Sequence, residues 1–181
     1  MSTGETDGLA RLFFALWPND EIRRSLAETR KCLDDIRANW IRPDKLHITL
    51  AFLGQIDAER IIDISGDMDD IHCHGFELIL DRVEIWRRTQ VLCITPSTPG
   101  EGVFNLVEML IETLRRNGFK PDARPYRPHL TLARRVKTRP PVREAEITPV
   151  RWSAGAFCLI ESRQAWGDSQ YLIHKTWPLK P

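Results

Sequence analysis

Short apolar runs alternate with amphipathic stretches along the chain, a pattern typical of a protein that contains both strands and helices. The apolar and aromatic run at residues 11–17 ends before Pro18, which predicts a buried strand. Asn19 then provides a side chain suited to begin a helix. Apolar residues at helical spacing extend that helix towards Pro43, with one buried face formed by Ile22, Leu26, Leu33, Ile36 and Trp40.

The spacings typical of strands and of helices continue through the rest of the chain. Further strands are predicted at residues 47–54, 76–86, 91–95, 130–133, 156–161 and 171–176, with a hairpin over residues 87–90. Further helices are predicted at residues 57–71, where Gly66 is unfavourable, and at residues 104–114, ending at Gly118. Residues 138–149 form a predicted proline-rich loop.

The same strand–helix–strand unit occurs twice. The first unit runs from RLFFALW to RPDKLHITLA and the second from VLCIT to RPYRPHLTLA, so His47 and His129 lie at equivalent places. Such a repeat predicts an internal pseudo-duplication of two lobes. Strands joined by hairpins and helices place the fold in the α+β class, with mainly antiparallel sheets.

Composition narrows the class of protein. Of the 181 residues, 28% are charged and 42% hydrophobic, which excludes a disordered chain, a coiled coil and a collagen-like chain. No apolar run approaches the roughly 20 residues that span a bilayer. The polar N-terminus lacks a signal-peptide pattern, and residues 1–10 are expected to form a flexible extension of a single domain over residues 1–181. We expect a cytoplasmic monomer without membrane contact, whose four scattered cysteines are buried thiols rather than disulfides.

The net charge of +1 conceals a local excess of positive charge. From Arg115 to Arg143 there are ten basic residues and one acidic residue, Asp122. A local basic segment in a nearly neutral protein suits one phosphate-bearing ligand better than a long duplex. A solvated basic loop that keeps the protein soluble explains the charge equally well.

The strongest chemical signal is the sequence His-x-Thr-Leu-Ala, which occurs at residues 47–51 and again at residues 129–133. Because alternate residues of a strand share a face, each histidine lies beside the threonine two residues later, Thr49 or Thr131. Each strand therefore offers an imidazole and a hydroxyl, backed by apolar residues on its other face. A third His-x-Thr match at residues 174–176 lacks the apolar middle residue and is interpreted as a chance match.

Two imidazoles on one surface can perform acid–base chemistry at phosphorus. The ordinary pKa of histidine is about 6.5, so a neutral and a protonated histidine can coexist near pH 7. One can activate the incoming water while the other protonates the leaving oxygen. Threonine hydroxyls and a nearby arginine can hold the non-bridging oxygens. This chemistry requires no metal and no cofactor, and neither is expected.

The sequence segments that contain and flank these motifs resemble those of the 2H phosphoesterase superfamily. HITL and HLTL, the opening RLFFALWP, the longer stretches WIRPDKLHITLAFLG and RPYRPHLTLAR, and the ending CLIESR…YLIHKTWPL are similar to its RNA 2′,3′-cyclic phosphodiesterase branch, also called 2′-5′ RNA ligase. The resemblance extends from about Arg11 to Leu179. It implies two lobes, each with helices outside an antiparallel sheet, that face each other across a central cleft.

The resemblance also implies a reaction and residue roles. RNA 2′,3′-cyclic phosphate ends are hydrolysed to 2′-phosphate ends, the 3′-oxygen leaves, and weak reversible 2′-5′ joining accompanies hydrolysis. His47 matches the proton donor and His129 the proton acceptor. Thr49 and Thr131 match phosphate-binding threonines, and Arg134 matches a phosphate-binding arginine. Because Arg134 is five residues after His129, it has the wrong parity for an ideal strand, and a bulge or strand end must redirect it.

The roles of several other residues, and two alternative functions, are not decided by the sequence. Tyr126 and Arg127 are candidates for stacking on a base or contacting phosphate, or for loop packing. Trp40 and Trp86 are candidates for stacking or for core packing, and His72-Cys73-His74 lacks the usual zinc spacing. Two other functions stay possible: a phosphodiesterase for a small cyclic nucleotide or a 2′-5′ oligonucleotide, and a non-catalytic RNA-binding module. Two intact motifs argue against the last of these.

Overall fold

The helices and strands follow the predicted order. The computed structural model describes residues 8–122, 124–137, 147–165 and 168–181. The helices in these ranges are Asp20–Lys31 (α1), Ile61–Asp67 (α2) and Glu101–Arg116 (α3). The strands are Leu9–Leu16 (β1), Asn39–Trp40 (β2), Ile48–Asp57 (β3), Phe76–Leu80 (β4), Arg82–Trp86 (β5), Val91–Thr95 (β6), Leu130–Arg134 (β7), Val150–Ala154 (β8), Ala156–Ala165 (β9) and Asp168–Pro178 (β10). Within the same ranges, no helix combines the length and apolar character needed to cross a bilayer.

One continuous antiparallel sheet carries both repeats. Its strands lie in the order β10-β9-β1-β3-β7-β6-β5, and β2 pairs with β7. The half formed by β10, β9, β1 and β3 meets the half formed by β7, β6 and β5 through a single pair, Ile48 and Leu130. Strands β4 and β8 form a separate two-stranded sheet. The units β1–α1–β3 and β6–α3–β7 are the two repeats, so the predicted α+β fold with pseudo-duplicated, mainly antiparallel lobes is confirmed.

Alternation along β1 separates the two faces of this sheet. Leu12, Phe14 and Leu16 are fully buried in the main core, together with the apolar faces of α1 and α3. The opposite face carries a smaller buried cluster of Phe13, Ala15, Cys158 and Ile160. Burial of each large apolar side chain contributes roughly 1.5–3 kcal/mol. Helix packing therefore fixes the sheet from one side and leaves its other side for a site.

The first helix is shorter than its apolar spacing predicts. Asn19 caps α1 as predicted, with its side-chain oxygen accepting the Ile22 N–H at 2.9 Å. The helix ends at Lys31, however, and not near Pro43. Leu33 and Ile36 are still buried because single turns follow, with the Leu33 and Ile36 N–H groups donating to carbonyls three residues earlier at 3.0 Å. Isolated turns preserve helical spacing, which explains the overextended prediction.

The predicted long strand at residues 76–86 is two strands in different sheets. Asp81 separates β4, which pairs with β8, from β5, which pairs with β6. The Asp81 carboxylate accepts the Ser97 N–H at 2.7 Å and the Ser97 hydroxyl at 2.6 Å. The apolar pattern continues through this corner because both sheets bury one face in the same core. Periodicity alone therefore could not locate the change of sheet.

Smaller differences concern the ends of other elements. The helix predicted at residues 57–71 is a 3-10 turn, Ala58–Arg60, followed by α2. Strand β1 begins at Leu9, within the extension predicted over residues 1–10. Strands β2 and β8 are absent from the predicted elements, and β2 lies where the first helix is predicted to extend to Trp40. Gly118, with a φ of 79°, lies just beyond the end of α3, as predicted. Cys73, Cys93 and Cys158 are buried free thiols, whereas Cys32 is exposed. Most of the loop predicted at residues 138–149 lies outside the described residues.

Candidate active site

The two His-x-Thr motifs meet where the halves of the sheet join. Ile48 pairs with Leu130 in antiparallel register, so His47 lies opposite Thr131 and Thr49 opposite His129. Ile48 and Leu130 are fully buried on the helix side, whereas the four motif side chains are half-buried on the other side. We call this surface the motif face. The sheet register thus brings both imidazoles and both hydroxyls together, as the sequence predicts.

A β-bulge directs Arg134 to the motif face. Thr131 pairs with Cys93 and Ala133 with Leu92, so the residue between Thr131 and Ala133 is an extra residue in β7. The extra residue reverses the parity of the strand beyond it, and Arg134 then shares the face of Thr131. The bulge required by the spacing of Arg134 is therefore present. The exposed Arg134 is close enough for its charge to act on both motif histidines.

The first half contains the same irregularity but a different side chain. Thr49 pairs with Ala15 and Ala51 with Phe14, so β3 also carries an extra residue after its threonine. The residue five positions after His47 is Phe52, which is 49% exposed and packs against Phe13 at 5.9 Å between ring centroids. Phe52 thus occupies the position that Arg134 occupies in the second half. The backbone is duplicated, while the charge at this position is present in one half alone.

Both motif histidines are held by the same backbone contact. Nδ1 of His47 lies 2.7 Å from the carbonyl oxygen of Lys45, and Nδ1 of His129 lies 2.8 Å from that of Arg127. Because a carbonyl can only accept, Nδ1 carries the hydrogen in both rings. Each neutral imidazole therefore keeps Nε2 as its proton-accepting atom. In both halves, the carbonyl that fixes the tautomer belongs to the residue two positions before the histidine.

Aromatic rings surround His47. Trp17 is stacked on it with 5.9 Å between centroids, and Phe13 and Tyr171 lie at 5.0 and 5.3 Å. Burial lowers the pKa of His47 to about 4; the Lys45 carbonyl opposes this change, and the charge of Arg134 adds to it. In the free protein at neutral pH this ring is therefore almost entirely neutral. Alternation in RLFFALW could have indicated Phe13 and Trp17, since they share the face of Ala15.

His129 lies in a more polar setting. The Trp86 ring is tilted against it with 4.5 Å between centroids, and Arg127 lies over the same indole at 5.1 Å. Glu84 accepts hydrogen bonds from both Trp86 and Arg127. Burial lowers the pKa of His129 also. Partial burial thus lowers the pKa of both motif histidines below the ordinary histidine value.

The remaining candidates near the motifs differ in how the structure uses them. The Tyr126 hydroxyl donates to the Thr49 carbonyl at 3.2 Å, and burial raises its pKa. The Arg127 guanidinium is paired with Glu84. Both residues thus connect the segment before His129 to neighbouring strands, and a substrate contact for either stays a prediction. Trp40 packs on the core beside Arg30, away from either motif histidine, whereas Trp86 contacts His129.

Other groups flagged by the sequence have local partners. His174 donates from Nε2 to Glu161 at 2.8 Å, and Glu161 also pairs with Arg163. His74 contacts the Pro181 carbonyl at 2.9 Å. Among the residues that the structure describes, no three His, Cys, Asp or Glu side chains are arranged to hold a metal ion. Within the basic segment, Arg124 pairs with Asp122, while part of the segment lies outside the described residues.

The arrangement favours acid–base chemistry over attack by a protein nucleophile. Cys93 pairs with Thr131 across the sheet, but burial raises the pKa of its thiol to about 12, so the thiolate is scarce at neutral pH. The groups that face outward are two imidazoles, two hydroxyls and one guanidinium. Such a set can bind a tetrahedral anion and exchange protons with it.

Comparisons with known proteins agree with this reading. The family described as LigT-like phosphoesterase matches residues 16–93 and 94–165, and each segment contains one of the two His-x-Thr-Leu-Ala motifs. The RNA 2′,3′-cyclic phosphodiesterase of Escherichia coli K12 is 34% identical over 175 residues, or 93% of this chain and 96% of that protein. The crystal structure of E. coli LigT in its apo form superposes with a TM-score of 0.84 at 31% identity, covering 97% of this chain and 100% of that one. The crystal structure of E. coli LigT complexed with 3′-AMP superposes with a TM-score of 0.83 at 31% identity, covering 96% of this chain and 99% of that one.

Proposed function

We propose that this chain, which belongs to the LigT-like phosphoesterase family, hydrolyses 2′,3′-cyclic phosphate ends of RNA to 2′-phosphate ends. The resemblance found in the sequence is confirmed at the level of the family, and the chain is a phosphoesterase. The observation that carries the proposed reaction is the register that sets His47 opposite Thr131 and Thr49 opposite His129, with Arg134 on the same face. The substrate follows from the names of its relatives.

The proposed reaction is an in-line displacement by water. Nε2 of His129 takes a proton from the water as its oxygen bonds to phosphorus, and the bond from phosphorus to the 3′-oxygen breaks. His47, protonated at Nε2, gives its proton to that leaving oxygen. The hydroxyls of Thr49 and Thr131 and the guanidinium of Arg134 hold the non-bridging oxygens. The donor and acceptor roles rest on the family pattern, and metal-free catalysis is part of the proposal.

The substrate itself supplies the charge that this mechanism needs. With a pKa of about 4, His47 carries its proton in few free molecules at neutral pH. A phosphodiester anion bound against its ring favours the protonated form. Weak 2′-5′ joining uses the same groups, with an RNA 5′-hydroxyl in place of water. Since neither half contains the whole set, we propose that residues 1–181 act as one bilobal unit.

Product identification tests the reaction. The protein is incubated with a short RNA that ends in a 2′,3′-cyclic phosphate, and separately with 2′,3′-cyclic AMP and with a 2′-5′ linked diadenylate. We expect 2′-phosphate products from the RNA, and loss of most turnover in His47→Ala and in His129→Ala. His174→Ala is the matched control, because this third His-x-Thr histidine is held by Glu161. Turnover of the diadenylate alone, or full activity without either motif histidine, would contradict the proposal.

A leaving-group experiment separates the two roles. A substrate with an activated 3′ leaving group no longer needs a proton donor, so His47→Ala should recover far more activity on it than His129→Ala. The double variant should be little worse than either single variant, because residues that act as one unit are not additive. Recovery by His129→Ala instead would exchange the two assignments.

A further inference from the structure

A half-buried carboxylate, that of Glu84, lies at the centre of a hydrogen-bond group that includes two residues in contact with His129. Glu84 belongs to β5, and its side chain is 18% exposed. It accepts from Trp86 Nε1 at 2.9 Å, from the Thr95 hydroxyl at 3.1 Å, and from Arg127 at 2.8 and 2.6 Å. Although burial by itself raises the pKa of Glu84, these hydrogen bonds and the charge of Arg127 bring it below its ordinary value. The carboxylate is therefore ionised and fully partnered.

Two of the three donors to Glu84 also contact His129. The indole of Trp86 packs against the imidazole at 4.5 Å, which limits rotation of the ring. Arg127 provides the carbonyl that accepts the His129 Nδ1 hydrogen at 2.8 Å. The described residues from 124 to 129 form neither helix nor strand. The ion pair with Glu84 on β5 is therefore a restraint on the position of this carbonyl, in addition to the Tyr126 hydrogen bond to Thr49.

In the first half of the protein, different contacts hold the motif histidine. Lys45 accepts the His47 Nδ1 hydrogen, but the ring is then enclosed by Phe13, Trp17 and Tyr171. Beyond that hydrogen bond, the imidazole is held by packing against aromatic rings, with no carboxylate among these contacts. At His129 a single carboxylate holds both the adjacent ring and the residue that fixes the tautomer. Loss of Glu84 would also leave the Arg127 cation unpaired beside the imidazole.

We propose that Glu84 is a positioning residue for His129: by holding Trp86 and Arg127, its carboxylate keeps the imidazole in the tautomer and orientation that expose Nε2. This proposal rests on the proposed function, in which His129 accepts the proton of the attacking water. Glu84 does not touch the reacting atoms. Its effect on the reaction is exerted through the side chain of Trp86 and the backbone of Arg127.

The test compares two similar carboxylates. Glu161 is 8% exposed and pairs with Arg163 and His174, so Glu161→Gln is a matched control for loss of a buried charge. We expect Glu84→Gln and Glu84→Ala to lower kcat roughly 10- to 100-fold, as for carboxylates that orient a histidine elsewhere. KM should change less than kcat, with Glu84→Gln the milder variant. Glu161→Gln should retain kcat even where it lowers Tm.

A spectroscopic readout separates positioning from general destabilisation. The ¹⁵N signals of the His129 ring should show a hydrogen on Nδ1 alone in the parent protein, and a mixture of tautomers in Glu84→Gln. The titration midpoint of His129 should also fall in that variant, since Glu84 opposes the effect of Arg127. If Glu84→Ala fails to fold, the isosteric Glu84→Gln gives the same readout.

The outcomes distinguish this proposal from the proposed function. An inactive His129→Ala together with full kcat and an unchanged His129 tautomer in Glu84→Gln would overturn the role of Glu84 alone. An active His129→Ala would remove the proposed function, and with it the reason for positioning this ring. Equal loss of kcat in Glu84→Gln and Glu161→Gln would also overturn the proposal, because the effect would then be one of stability.

Discussion

Binding of an anion should greatly increase the fraction of His47 that is protonated at neutral pH. In the free protein, burial holds its pKa at about 4, so only about one molecule in a thousand is protonated at pH 7. A donor in that state would be a poor acid catalyst. The motif face, however, presents Thr49, Thr131 and Arg134 for an anion. We therefore expect the pKa of His47 to rise steeply when that anion is bound.

The size of the rise follows from Coulomb's law. A unit negative charge about 4 Å from the imidazole, at an effective dielectric constant of about 20, stabilises the protonated ring by about 4 kcal/mol. Since one pKa unit corresponds to about 1.4 kcal/mol, the pKa should rise by about 3 units, to roughly 7. About half of the bound molecules would then carry the proton at neutral pH. Burial, which lowers the pKa in the free protein, also strengthens this attraction.

Sulfate is a suitable probe because it keeps its charge over the whole titration, and, as a dianion, it should raise the pKa of His47 by at least as much as the unit charge considered above. The ¹⁵N and ¹H signals of the histidine rings would be followed from about pH 3 to 8, so that the free-state midpoint near 4 is covered, with and without saturating sulfate, and His47 would be assigned from the spectrum of His47→Ala. The amide of Thr131 reports binding. His174, which is paired with Glu161, is the internal control, and its signals should not respond to sulfate.

The result that refutes this reasoning is specific. If sulfate shifts the Thr131 amide while the titration midpoint of His47 moves by less than about one unit, the anion does not lie against this ring. The assignment of His47 as proton donor would then lose its electrostatic basis. A large rise in Arg134→Ala as well as in the parent protein would show that the anion can reach His47 without the guanidinium.

The remaining predictions concern catalysis, metal dependence and stability. Thr131→Ala should cost no more than about 3 kcal/mol of transition-state stabilisation, measured from kcat/KM, because water can partly replace a neutral hydroxyl. This loss should be smaller than that caused by removal of either histidine. Thr176→Ala, in the third His-x-Thr match, is the control, and unchanged kinetics in Thr131→Ala would contradict a phosphate contact of Thr131. EDTA should leave turnover intact, and loss of activity that a divalent ion restores would contradict the metal-free mechanism. His47 is held neutral in the folded state, with a pKa of about 4 against about 6.5 when unfolded, so the unfolded chain binds more protons between these values. The free energy of unfolding should therefore fall by up to about 3 kcal/mol as the pH is lowered from 6.5 to 4, and urea denaturation of His47→Asn should show a smaller loss over the same window.

The sequence predicts the motif face because the required information is local. Alternation assigns His47 and Thr49 to one face and Ile48 to the other, and the repeat assigns the second motif in the same way. The parity of Arg134 even requires the bulge that β7 contains. Each of these inferences depends on residues within five positions of a histidine, where strand geometry leaves few alternatives.

Other features depend on contacts between distant segments and could not be predicted. Glu84 lies 45 positions before His129 and has no motif of its own, yet β5 and β6 bring it beside the second motif. The corner at Asp81 and the early end of α1 are equally invisible to periodicity, because buried turns and strands that change sheets keep the same apolar spacing. The enclosure of His47 involves Tyr171 as well as Trp17, and the sheet order places Tyr171 there.

The differences between the two halves explain how a duplicated motif can perform two opposite tasks. Each half fixes its imidazole through Nδ1 in the same way, so the tautomers cannot distinguish a donor from an acceptor. The surroundings of the two imidazoles, however, do differ. At His129, Glu84 balances the charge of Arg127, and the ring stays a competent base once an anion is bound on the other side. At His47 the aromatic rings provide no counter-charge, so a bound phosphate would supply the negative charge that favours protonation. In the proposed mechanism, the bound phosphate therefore promotes protonation of the donor His47, whereas Glu84 and Arg127 of the protein itself hold the acceptor His129 ready.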